Sequence, residues 1–216
     1  RASGMVTHHW PFFSLAVRTP RVELRYPDDE LLARVADLAA DGIHDPGTMP
    51  FLVPWTRQPA GVLQRESLKH HWAARAATSP ERWSLPFAVV AEGELVGVQE
   101  VHAEAFPVTR TVGSGSWLGL EHQGRGIDRE MRAAVLHLAF DGLGAERAET
   151  GCWEDNPRSL AVTAALGYEP NGWTYLDREG TRTRMLRFHL RRDRWQRRDD
   201  IEVTGLAACL PLLGLA

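Results

Sequence analysis

Cysteine is scarce in this chain. Cys152 and Cys209 are the only two in 216 residues. Two thiols make neither a disulfide framework nor a zinc ligand set, and they fit a reducing compartment. Lysine is scarcer still: Lys69 stands alone, so the positive charge is nearly all arginine. No apolar run is long enough to span a bilayer. Residues 10–17 are apolar but few, and Arg18 and Arg21 follow at once, without a basic leader or a clear cleavage site. A cytoplasmic protein with no membrane partner is expected. Neither charge is in large excess. The formal net charge of −3 gives no global drive toward nucleic acid or anionic lipid. The adjacent pairs His8–His9 and His70–His71 lack further ligands at a zinc spacing, so they read as structural or exposed, and no metal is expected. Internal repeats and low-complexity linkers are also missing.

What is there is a globular composition, 44% apolar and 25% charged, over a length that suits one substantial core. Val22, Leu24 and Tyr26 alternate as a strand does. Asp28 and Asp29 can cap a helix whose apolar face holds Leu31, Leu32, Val35 and Leu38, with Gly42 as its stop. Residues 43–59 carry five prolines or glycine-turn signals amid Met49, Phe51, Leu52, Val53 and Trp55. That segment is expected to be irregular and to fold back, as a core-covering lid or a wall of a binding site. A second helix is expected over 63–78. Residues 87–91 and 95–101 read as strands joined by a hairpin at Glu92-Gly93-Glu94. A strand over 110–120 is interrupted by Gly113-Ser114-Gly115, where a bulge could splay it from its neighbour. A strand over 147–152 leads to Asn156-Pro157, which begins a short helix whose apolar residues are Leu160, Val162, Ala165 and Leu166. Two late strands are expected at 173–176 and 185–190.

The chain is organised around residues 116–131, SWLGLEHQGRGIDREM. It reads as a strand, a glycine turn at Gly124 and Gly126, and a helix whose buried face holds Met131, Val135, Leu138 and Ala139. Free N–H groups and the helix dipole make such a turn a natural anion site. Asp128 puts a carboxylate where that anion would sit.

The spacing Gln123-x-x-Gly126-x-Asp128 resembles the donor-binding motif of the GNAT acyltransferases, with Asp128 in place of the motif's final small residue. The element order, Asn156-x-x-Ser159 and Ala165-Leu166-Gly167-Tyr168 are similar to the RimJ/RimL-like branch of that superfamily. The resemblance covers residues 22–190. It implies an α/β GNAT fold: a mixed, mostly antiparallel central sheet flanked by helices, with splayed central strands. Residues 1–21 then form an N-terminal extension. Residues 191–216 form a tail with an apolar end that packs on the domain or on a second subunit, which leaves a homodimer open.

The resemblance also implies N-acyl transfer from acetyl-CoA, or another acyl-CoA, to a primary amine of a small molecule or peptide. The donor would lie on Trp117, Leu118, Gln123, Gly124, Arg125, Gly126, Ile127, Asp128 and Asn156. Ser159 would protonate or hold the departing thiolate. Glu100 is the expected base, and His102, two residues on and on the same strand face, is expected at the acceptor with Trp55. Two alternatives stay open because of Asp128. The fold could take its acyl group from aminoacyl-tRNA, gripped by the basic run of Arg178, Arg182, Arg184, Arg187, Arg191, Arg192, Arg194, Arg197 and Arg198. It could also bind a ligand without catalysis.

Overall fold

The computed structural model describes residues 4–215. Nine strands form one sheet: β1 (Ala16–Arg18), β2 (Val22–Arg25), β3 (Arg82–Ala91), β4 (Glu94–Glu104), β5 (Thr111–Leu118), β6 (Arg147–Trp153), β7 (Glu169–Arg178), β8 (Thr181–Arg191) and β9 (Glu202–Thr204). Their order is β7-β8-β6-β5-β4-β3-β2-β1-β9. Every neighbouring pair is antiparallel except β5 and β6. The helices are α1 (Gly4–His9), α2 (Asp29–Asp41), α3 (Val62–Ala76), α4 (Phe106–Thr109), α5 (Ile127–His137) and α6 (Pro157–Ala165).

The strands alternate in which helical layer they face. Val98 packs with Val35 of α2, while Val101 and Ala103 belong to the larger core with Met131 and Val135 of α5. So α2 and α3 cover one face, and α5 covers the other with α6 beside it. Local chemistry explains the elements. Asp28 caps α2 by accepting from the Leu31 N–H, and Gly42 ends it at φ 120°. Glu92 and Gly93 both take positive φ, as a two-residue hairpin turn requires. After α5 the chain loosens into one π-helical turn, Leu138–Gly142.

Several expectations need correction. The sheet does not stop at residues 22 and 190. β1 and β9 pair with each other at its far edge. Phe12, Leu15 and Val17 lie in the main core with Ile201, Cys209, Leu213 and Leu215, so both end segments complete this chain's own core. The late strands are longer than their apolar residues indicated, because cross-strand pairing carries them to the hairpin at 178–181. On α6 the buried residue is Thr163, while Ala165 is exposed. Finally, Gly113 and Gly115 make no bulge against β4, whose register with β5 runs unbroken from Gly97↔Leu118 to His102↔Gly113. The splaying lies on β5's other side.

Candidate active site: a slot between two parting strands

β5 and β6 pair at Thr111↔Arg147, Val112↔Ala148 and Gly113↔Glu149, and nowhere beyond. From Ser114 onward β5 is ladder-paired only with β4 and β6 only with β8, and among the described residues the one link between them there is from the Thr150 hydroxyl to the Ser114 carbonyl at 3.5 Å. The two strands therefore bound a wedge, closed near Gly113 and open toward Leu118 and Trp153. Parting strands leave main-chain groups free along the wedge, which suits an extended ligand.

At the open end lies the glycine turn. Gly124 and Gly126 hold φ of 75° and 76°, and Gly126 is the N-cap of α5. The Gln123 side chain turns inward. Its amide donates to the Ile43 and Leu118 carbonyls at 2.6 and 2.9 Å, and its oxygen accepts from Arg158 of α6. Gln123 thus shapes the turn, and the Arg158 link crosses from the turn to α6. Arg21 donates to the Arg125 carbonyl at 2.8 Å, adding a cation beside the turn. Ile127 is buried beneath it. Asp128 accepts from the Arg129 N–H at 2.8 Å and so occupies one donor of the helix end.

One wall of the open end is α6. Asn156 caps it by accepting from the Ser159 N–H at 3.2 Å. Ser159 is half-buried over Cys152 of β6. Burial pushes the Cys152 thiol up, and Ser159 and Arg132 act the other way.

On the α2/α3 face, β4 and β5 form a trough. His102 lies over Gly113, where a Cβ would meet the imidazole at 2.2 Å, and Glu100 lies opposite Gly115. Gly113 leaves the room that the His102 ring fills, whereas a Cβ at Gly115 would come no nearer than 3.9 Å to Glu100. Glu100 accepts from Ser84 at 2.7 Å and sits 3.5 Å from His102 Nδ1. Burial alone would raise its carboxyl pKa, but His102 and Ser84 outweigh that and hold it below the usual carboxylate range. His71 of α3 completes the trough. Its burial, with His70 beside it, lowers it to about 4, and the Glu100 charge pulls the other way. His71 is therefore neutral at pH 7.

Beside the trough Trp117 stacks with Trp55, at 6.2 Å between ring centroids, and Trp55 with Phe51 at 5.2 Å. Residues 43–59 thus do fold back. The segment is also tied across the wedge: Arg57 grips Glu179 through two nitrogens, at 2.9 and 3.0 Å, and Arg178 donates to the Met49 carbonyl. It roofs the site from α2 to the β7–β8 hairpin.

The basic run is largely spent on internal pairing. Arg178 pairs with Asp155, Arg184 with Glu154, Arg191 with Asp193, Arg197 with Asp141 and Asp199, and Arg198 with Glu130 and Asp200. Among the described residues no cluster of three or more His, Cys, Asp or Glu side chains could hold a metal ion. No described helix is long and apolar enough to cross a membrane.

Sequence reading missed Ser84, His71, Arg21 and Arg132. Ser84 had a usable signal in its strand parity. The others did not, because which face of α3 or α5 meets which strand is a tertiary fact.

A mixed sheet that parts between two parallel strands, with a glycine turn and helix N-terminus at the open end, defines a GNAT-type acyltransferase scaffold. Residues 21–169 match the family model described as an acetyltransferase (GNAT) domain. The chain belongs to the GNAT acetyltransferase family and is an acyltransferase. An 82-residue segment is 32% identical to the ribosomal-protein-serine acetyltransferase of Escherichia coli (strain K12), covering 38% of this chain and 45% of that enzyme. The fold is similar to that of Mycobacterium smegmatis RimJ in complex with CoA-disulfide, with a TM-score of 0.71 and 21% identity over 93% of this chain and 95% of that one. It is also similar to RimL, a ribosomal alpha-N-protein acetyltransferase, in complex with coenzyme A. There the TM-score is 0.67 and the identity 19%, over 80% of this chain and 95% of that one.

Proposed function

We propose that this protein transfers an acyl group from a CoA thioester to the terminal amine of a peptide or protein. The observation that carries this reading is the wedge between β5 and β6. It has an anion-friendly turn at its open end, and Glu100 lies across β5 from it. CoA would lie with its pyrophosphate at residues 123–128 and its pantetheine arm along the free edges of the wedge. Two of the proteins named above are ribosomal-protein acetyltransferases, and two of the similar structures hold CoA or its disulfide, which supports a peptide acceptor and a CoA donor.

The chemistry follows from the groups present. Glu100, ionised and half-buried, attracts the acceptor's ammonium and takes its proton. The amine nitrogen then bonds to the thioester carbon, and main-chain N–H groups of β5 bear the oxyanion. As the carbon–sulfur bond breaks, the attacking nitrogen loses its second proton, and Ser159 relays a proton to the departing thiolate, so that the products are the amide and the free CoA thiol. His102 holds Glu100, and Trp55 and Trp117 wall the acceptor. An aminoacyl-tRNA donor is the weaker reading, because five of the nine arginines it would use, Arg178, Arg184, Arg191, Arg197 and Arg198, are paired with carboxylates.

The test is acyl transfer to a panel of peptide N-termini, read by mass spectrometry, for the parent and Glu100→Gln. We expect a mass gain at the α-amine and a fall in kcat of roughly 10²–10⁴-fold in the variant at neutral pH. Transfer unaffected by the substitution would remove Glu100 from the role.

A further inference from the structure

At the closed end of the wedge stands a buried arginine that acyl transfer from acetyl-CoA does not require. Arg132, on the inner side of α5, is 5% exposed. One terminal nitrogen lies 3.2 Å from the Ser116 hydroxyl of β5, and the other 3.4 Å from the Thr150 hydroxyl of β6. Thr150 is the first residue past the last β5–β6 pair, and Ser116 is the third. The guanidinium therefore fills the gap where β5 and β6 have begun to part.

Its partners do not balance its charge. Both contacts are long and both are to neutral hydroxyls, whereas a guanidinium carries five donors. No carboxylate among the described residues pairs with it, although it is buried, whereas other arginines without a carboxylate, such as Arg21 and Arg158, are exposed to water. Its Nε is without a partner, and so is Gln99 Oε1 on the same face of β4, while the buried Tyr168 hydroxyl and Ser114 lie beside the guanidinium. Burying a cation against neutral hydroxyls, with donors left over, is costly, and a fold tolerates it when a ligand satisfies the remaining donors. The natural complement is a carboxylate, which a guanidinium holds by two parallel bonds.

The position identifies the carboxylate. A donor entering at the glycine turn and running down the wedge would end its acyl chain at this closed end. We propose that Arg132 selects a donor whose acyl group ends in a carboxylate: the CoA monothioester of a short dicarboxylic acid, such as succinyl-CoA. This rests on the CoA-donor reading above. The transfer is the same reaction, with the distal carboxylate unchanged throughout.

The test compares succinyl-CoA with butyryl-CoA, its uncharged counterpart of equal chain length, by kcat/KM on a peptide amine and by titration calorimetry without acceptor. The parent should favour succinyl-CoA roughly ten- to a hundredfold. Arg132→Met, close in length and uncharged, should abolish that preference, and Arg132→Lys should keep part of it. Equal or better use of butyryl-CoA by the parent would overturn the proposal, as would a preference that survives Arg132→Met. The parent's own ratio decides the matter even if the variant does not fold. Free CoA, titrated alongside, separates the two claims. Binding of CoA with no succinyl advantage sinks only the selection by Arg132, whereas no binding of any CoA species sinks the donor reading and this proposal together.

Discussion

The two ends of the wedge handle charge in opposite ways. At the open end the turn is exposed and built from backbone: two glycines at positive φ, a helix terminus, and Asp128 bonded to the Arg129 N–H. At the closed end and in the trough the groups are side chains drawn into the fold: Arg132, buried between Ser116 and Thr150, and the half-buried Glu100, held by Ser84 and His102, and His71. Water and salt weaken a charge at the open end, whereas the same charge inside is worth several times more. The open end can therefore tolerate a carboxylate that looks wrong for a phosphate site. The interior cannot carry an unmatched charge without a reason.

Experiments can break that contrast. The largest effect is expected inside, at Glu100, as stated above, and Arg132 comes next. His71 gives a stability counterpart. Its folded pKa, about 4, is depressed from 6.5. Below pH 6.5 the unfolded chain takes the proton and the folded chain does not, so stability is lost as pH falls from 6.5 toward 4. The share due to His71 should be roughly 2 kcal/mol between pH 7 and pH 4.5. Urea unfolding of the parent and His71→Asn at both pH values measures it, and the variant should lose that much less on acidification. The smallest effect is expected at the open end. Asp128→Asn removes the charge and keeps the bond to the helix end. CoA should then bind about three- to tenfold more tightly at low ionic strength, with the gain shrinking in added salt. A hundredfold gain that persists in high salt would show that the open end is not screened as described.

The same contrast explains what was legible in the sequence. The turn could be read because its parts are contiguous: Gln123, Gly124 and Gly126 run straight into an amphipathic helix. Asn156 could be read as a cap, and it is one. Glu100 and His102 were legible as sharing a face because strand parity is local. Gly113 and Gly115 stood out, but their reason did not. They look like a bulge, and only the pairing across to His102 shows that Gly113 clears space. Gln123 was read as a donor contact, yet its side chain is spent on Ile43, Leu118 and Arg158, partners up to 80 residues away. Arg132 was invisible for a related reason. In sequence it is one more helical arginine in an arginine-rich chain, and only the docking of α5 across two parting strands buries it. The C-terminal arginines read in sequence as one basic run, and the structure pairs five of the nine with carboxylates.

The central claim is that the wedge between β5 and β6 is where the donor lies. A crystal structure with CoA tests it most directly. The account predicts the pantetheine arm between β5 and β6, the pyrophosphate on the turn at 123–128, and the sulfur within hydrogen-bond reach of Ser159. CoA bound elsewhere, with the wedge empty and Arg158 still holding Gln123 across its open end, would contradict it.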